Sequence, residues 1–159
     1  MEIERKYLVR ELPPDLGGFP HLDIRQGYIS TDPVIRIRQW GELFILTCKG
    51  KGFVEREEWE LPLTREQYLG LVPKLETPQL EKTRYFLPYK GGRTIELDVF
   101  HGPLEGLLLA EVEFEDRPGA DAFQPPDWFG PEVSEDPRFQ NSRLAVTGSL
   151  LDLGLEDRL

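Results

Sequence analysis

Cysteine occurs once in this 159-residue chain, at Cys48, and histidine twice. A single thiol excludes an internal disulfide and any zinc site built from several thiolates, which fits a reducing cytoplasm. His21 and His101 read as loop residues, and neither is assigned to a metal. No apolar run approaches the ~18 residues that a membrane span needs. The chain is charged from Glu2 onward, so neither a signal peptide nor a transmembrane helix is expected. An excess of positive charge is missing too: the formal net charge is −10, whereas a surface that coats nucleic acid presents many cations outward. Nucleic-acid and membrane partners are set aside on these grounds, and any anion site has to be local and enclosed.

What the chain has is punctuation and alternation. Clusters such as Pro13-Pro14, Thr31-Asp32-Pro33, Gly50 to Gly52, Gly91-Gly92 and Gly102-Pro103 divide it into short segments. Between them the side-chain pattern predicts strands over 2–9, 23–30, 34–40, 43–49, 54–61, 80–89, 93–100 and 107–115. Thr64 with Gln67 forms a capping-box signature, and Tyr68, Leu69, Val72 and Leu75 follow at helical spacing, so a packing helix starts there. The proline-rich, aromatic stretch 121–137 reads as a compact turn-rich segment, and 138–147 as helical. The length suits a single domain over 1–159, with 148–159, weakened by Gly148 and Gly154, as a loosely ordered tail.

The charges sort by strand. Along a strand, alternate side chains share a face, so Glu2, Glu4 and Lys6 lie opposite Ile3, Tyr7 and Val9. Two such carboxylates stand about 7 Å apart (two residues at ~3.3 Å rise), a spacing suited to a hard divalent cation, with the lysine one step on able to meet an anion that the cation carries. Arg36 and Arg38 share a face, as do Thr47 and Lys49; Arg56, Glu58 and Glu60; Lys82 and Arg84; Glu96 and Asp98; and Glu111, Glu113 and Glu115. Some strands therefore offer cations in pairs and others acids in pairs. Two arrangements follow: a closed eight-stranded barrel with a polar lumen, which also removes exposed edges, or a sandwich with solvated faces. Burying this many charges costs several kcal/mol per unpaired ion, which favours a lumen that binds something.

These residues also form an ordered set. Glu2-Ile3-Glu4-Arg5-Lys6 resembles the ExExK signature of the CYTH superfamily, the triphosphate tunnel metalloenzymes. It is followed by Arg25-Gln26-Gly27-Tyr28, Ile35-Arg36-Ile37-Arg38, Thr47-Cys48-Lys49, Glu57-Glu58-Trp59-Glu60, Glu81 to Tyr85, Glu96 to Phe100, Glu111 to Phe114 and Asn141 to Ala145. The resemblance covers nearly the whole chain and, with the run Asp127-Trp128-Phe129-Gly130, is strongest to small bacterial members similar to inorganic triphosphatases. It implies a mainly β fold, a closed eight-stranded antiparallel barrel with a few peripheral helices. Implied with it are a small-molecule triphosphate as partner and Mg²⁺ or Mn²⁺ as cofactor; a monomer or homodimer is expected, in the cytoplasm that the single cysteine fits.

Carried over by the resemblance, Glu2, Glu4, Glu111 and Glu113 look like metal-binding carboxylates, with Glu58, Glu60 and Asp98 as further candidates. Lys6, Arg36, Arg38, Lys49, Lys82 and Arg84 look like phosphate-binding cations, and Arg56 is another candidate. Lys6, Tyr28 and Lys82 are the candidates for the catalytic step, with Lys6 as base or as a phosphate ligand alone. The implied activity is metal-dependent hydrolysis of inorganic triphosphate or a related triphosphate compound. Nucleoside or thiamine triphosphates are alternative substrates. A class IV adenylyl cyclase is a weaker alternative, because cyclases carry a His-Phe pair ahead of ExExK and Glu2 here follows the initiator. A barrel that binds polyphosphate or nucleotide without cleaving it is the non-enzyme alternative.

Overall fold

The structure is a computed structural model that describes residues 1–155. Its strands are β1 (Glu2–Val9), β2 (His21–Thr31), β3 (Val34–Trp40), β4 (Leu43–Lys49), β5 (Glu55–Arg56), β6 (Glu58–Leu63), β7 (Leu80–Tyr89), β8 (Arg93–Phe100), β9 (Leu108–Glu113) and β10 (Phe129–Glu132). Three short α-helices join them: α1 (Arg65–Leu71), α2 (Arg117–Asp121) and α3 (Asn141–Leu144). His21 is the first residue of β2 rather than part of a loop. None of the described helices is long and apolar enough to cross a membrane.

The expected closed eight-stranded barrel is not what forms. The strands make one antiparallel ten-stranded sheet in the order β10-β1-β9-β8-β7-β2-β3-β4-β6, with β5 off that path against β1, and no ladder joins β6 to β1. Two local features explain the opening. The strand expected over 54–61 breaks at Glu57: Glu58 to Leu63 continue along β4, whereas Glu55 and Arg56 pair with Ile3 and Glu2. The free edge of β1 is also already shared, because β10 pairs at Tyr7 and Val9 and the Val133 amide donates to the Lys6 carbonyl at 2.8 Å. A backbone group has one neighbour on each side, so β6 finds no continuous edge to join.

Residues opposite one another in a ladder point to the same face. The outer face of β1, β8 and β9 carries Tyr7, Val9, Ile95, Leu97, Ala110 and Val112, all buried under Phe114, Ala120, Phe123 and Phe129. This is the work of the aromatic segment after β9: Phe129 lies 4.9 Å and Phe123 6.0 Å from Tyr7, ring to ring. The inner face changes character along its length. At one end it carries charges; at the other, Leu80, Phe100 and Leu109 pack with Phe139, Leu144, Leu153 and Leu155. Of the tail expected to be loosely ordered, Leu153 and Leu155 are thus packed in a core, and 156–159 lie outside the described residues.

The capping box forms as expected. The Thr64 hydroxyl accepts from the Gln67 amide and the Gln67 side chain accepts from the Thr64 amide. Tyr68 is buried against Phe44, whereas Leu69 is 54% exposed and takes no part in the apolar stripe. Leu75 packs where a side chain at position 27 would stand: a Cβ on Gly27 would meet Leu75 Cδ1 at 2.8 Å.

Candidate active site

The charged end of the inner face encloses a cavity of about 130 Å³ lined by carboxylates, arginines and Lys49, with Trp40 and Asn141 at its wall. Register assembles it. Glu4 stands opposite Glu113 and Lys6 opposite Glu111 across β1 and β9; Glu96 faces Glu111 across β8; Arg84 faces Asp98 across β7 and β8. On the other wall, Arg36 faces Thr47, which faces Glu60, and Lys49 faces Glu58. Alternation in the sequence is therefore converted into a ring of side chains from most of the sheet.

Deep in the site the charges are locked together. Asp98 accepts from Arg84 Nε at Oδ1, 2.7 Å, and from Arg84 Nη2 at Oδ2, 2.9 Å, and Lys82 Nζ lies 2.7 Å from that same Oδ2. Bidentate contact of this kind is the strongest ordinary ion pair. Glu96 lies 3.5 Å and Glu111 3.7 Å from the same Arg84. Burial, outweighing the Asp98 charge, brings the Lys82 ammonium down to about 8. Burial alone would raise the Asp98 and Glu111 carboxyls, yet the surrounding Arg84, Lys82 and Lys6 hold both below the usual range. Lys6 donates to the Phe139 carbonyl at 2.8 Å and sits 4.0 Å from Glu111.

Toward the opening the contacts are longer. Lys49 bridges Glu2 at 3.2 Å and Glu58 at 3.4 Å, and Arg56 lies 3.6 Å from Glu2. Carboxylate oxygens of Glu2, Glu4 and Glu113 come within 4.8 Å of one another. Burial raises the Glu2, Glu4 and Glu113 carboxyls, and neighbouring carboxylates raise each further. A cluster of acids pushed toward protonation is one that a hard cation would relieve, and all-oxygen donors suit Mg²⁺ or Mn²⁺. The residues present fit such an ion. Buried atoms without hydrogen-bond partners call for ligands of both signs: the donors Arg36 Nε and Arg38 Nε for an anion, the acceptor Glu111 Oε1 for a cation, since such groups are costly unless completed.

The structure brings Glu2, Glu4, Glu58, Glu60, Glu111 and Glu113 to one cavity, with Arg36, Arg38, Lys49 and Arg84. Glu60 reaches it from an exposed position. Asp98, Lys6, Lys82 and Tyr28 lie beneath the lining; Asp98 is engaged by Lys82 and Arg84 and does not join the Glu2–Glu4–Glu113 cluster. Tyr28 is 1% exposed, opposite Arg36 in the ladder. Sequence reasoning did not assign Glu96, whose carboxyl burial pushes up to about 7, or Trp40. Both were findable by parity, Glu96 with Asp98 and Trp40 with Arg36 and Arg38.

No family model matches the chain. It is 43% identical over 149 residues to an inorganic triphosphatase of Nitrosomonas europaea, covering 92% of this chain and 97% of that protein. It is 40% identical over 153 residues to an inorganic triphosphatase of Acetivibrio thermocellus, covering 90% and 92%. A crystal structure of an inorganic triphosphatase matches with a TM-score of 0.69 at 41% identity, over 94% of this chain and 97% of that one.

Proposed function

The chain belongs to the inorganic triphosphatases of the CYTH superfamily, and from that premise we propose that it hydrolyses inorganic triphosphate to pyrophosphate and phosphate in the charged cavity, with Mg²⁺ or Mn²⁺. The observation that carries this reading is the pairing, in one small cavity, of a three-carboxylate cluster with fixed arginines and Lys49. A site that only captured anions would gain nothing from the clustered acids.

Glu2, Glu4 and Glu113 would hold the metal ion, with Glu58, Glu60 and Glu111 beside them. The ion, when bound, neutralises phosphate charge and polarises the bond under attack. Arg36, Arg38, Lys49 and Arg84 take phosphate oxygens, and Arg56 supports them from beside Glu2. Asp98 acts through the two cations it fastens: Lys82 and Arg84 are already in place and need not reorganise as charge shifts in the transition state. Of the candidates Lys6, Tyr28 and Lys82, burial brings the Lys82 ammonium down to about 8, which suits it to hold a proton at the floor of the cavity while Asp98 keeps it in place. Lys6, fastened to the Phe139 carbonyl, is then a phosphate ligand. A small-molecule substrate is the partner we expect, for a monomer or homodimer, and the lone Cys48 fits a cytoplasmic setting.

The test is phosphate release from inorganic triphosphate, ATP and thiamine triphosphate, each with Mg²⁺, Mn²⁺ or EDTA, beside a Glu4→Ala control. Metal-dependent release, greatest from inorganic triphosphate and lost in the control, supports the reading. Tight binding of triphosphate without turnover would leave a polyanion-binding protein and retire the catalytic assignments.

A further inference from the structure

Arg38 is held differently from its neighbours. Lys49 and Arg56 are paired with Glu2, Lys82 and Arg84 with Asp98, and Lys6 with Glu111 and the Phe139 carbonyl. Arg36 reaches the Thr47 hydroxyl at 3.4 Å. Arg38 is 6% exposed and its Nε is buried without a hydrogen-bond partner. Its guanidinium lies over the Trp40 ring, whose centroid is 4.6 Å from Arg38 Cζ and 5.7 Å from Arg84 Cζ. Trp40 follows Arg38 by two residues on β3 and so shares its face. Its ring stacks with Phe86 of β7 at 6.3 Å and 29°, reaching across β2, which lies between the two strands.

A carboxylate in that position would neutralise Arg38 and compete with phosphate for its N–H groups. An aromatic face attracts the guanidinium through the ring quadrupole and uses none of its donors. It also keeps Arg38 in place against the like charges of Arg36 and Arg84. We propose that Trp40 is a positioning residue, whose ring holds Arg38 at the cavity wall with its N–H donors directed to phosphate oxygens. This rests on the cavity being the triphosphate site.

The variants are Trp40→Leu, which keeps apolar bulk and removes the ring, and Trp40→Phe, which keeps a ring. Kinetics on inorganic triphosphate and calorimetric binding of tripolyphosphate in EDTA are measured for both, alone and with Arg38→Lys. Trp40→Leu should raise KM and weaken binding about tenfold, about 1.4 kcal/mol, with kcat changed less than about threefold. Trp40→Phe should stay within about threefold of the parent in both, and Trp40→Leu should add little once Arg38 is lysine. An unchanged KM in Trp40→Leu, equal losses in the two variants, or full additivity with Arg38→Lys overturns the proposal. If the parent protein releases no phosphate, the triphosphatase reading fails separately, and the binding measurements alone still decide the role of Trp40.

Discussion

Two charge clusters, one beneath the cavity lining and one at its opening, are built to different tolerances. Lys82, Arg84 and Asp98 have side chains 0–6% exposed and meet at 2.7 Å. Glu2, Lys49, Glu58 and Arg56 are 7–24% exposed and meet at 3.2–3.6 Å. Ion pairs taken fully out of water stand only when geometry is tight and every partner is present; pairs near the opening can be loosened and remade with water or a ligand. The deep cluster is therefore scaffold, a fixed positive floor whose own counterion, Asp98, travels with it. The outer cluster is exchangeable: Glu2 and Lys49 hold each other when no cation and no phosphate claim them.

Asp98→Ala should have the largest effect on the deep cluster. Lys82 would be left buried without its carboxylate and Arg84 with only the longer contacts to Glu96 and Glu111, at a cost of about 3–5 kcal/mol, read as a fall in the urea midpoint. A loss under about 1 kcal/mol would mean that Glu96 and Glu111 can take over, and the deep cluster would be no more rigid than the outer one. Glu113→Gln, at the other pole, should lower Mn²⁺ affinity at least about tenfold by calorimetry while leaving the urea midpoint nearly unchanged. A stability loss matching that of Asp98→Ala would remove the distinction.

A pH series separates the clusters within one protein. Glu2, Glu4, Glu96 and Glu113 titrate above their ordinary values in the folded chain, Glu96 at about 7. Between pH 4.5 and 7 the folded state thus holds more protons than the unfolded chain, and the stability these groups contribute is lost as pH rises through that window. Asp98 and Glu111 are depressed, so their contribution is lost only as pH falls below the ordinary carboxylate range. Without metal, Tm should fall by a few degrees from pH 5 to 7.5, and saturating Mg²⁺ should flatten that slope. A Tm that climbs over the same range would show that these four carboxyls are not raised in the folded chain, because the depressed groups contribute no slope there. The smallest expected effect lies outside both clusters: Trp59, 78% exposed on the outer face of β6, should change to serine within about 0.5 kcal/mol of the parent and with phosphate release unaltered.

Much of the sheet was legible because alternation is local. Glu2, Glu4 and Lys6 share a face whatever they later meet, and the same holds for Arg36 with Arg38 and Glu111 with Glu113. The capping box of α1 was legible for the same reason, being closed within four residues. Harder to see was β10, where two prolines precede Trp128 and only the free edge of β1 makes a strand of Phe129 to Glu132. Leu69 kept the helical spacing and still faces solvent, because a stripe predicts a buried side only where something covers it.

What the sequence determined by itself, then, is composition and parity: which residues alternate, which charges travel in pairs, and that no thiolate cluster or apolar span is present. Tertiary structure alone decided the rest. It decided that the sheet stays open, because β10 occupies the β1 edge that a closing strand would need. It also decided that Asp98 serves two cations while Glu2, Glu4 and Glu113 face one another. Strand parity says which side a charge is on; the partner it finds there depends on register and curvature across strands far apart in the chain, which no local pattern encodes.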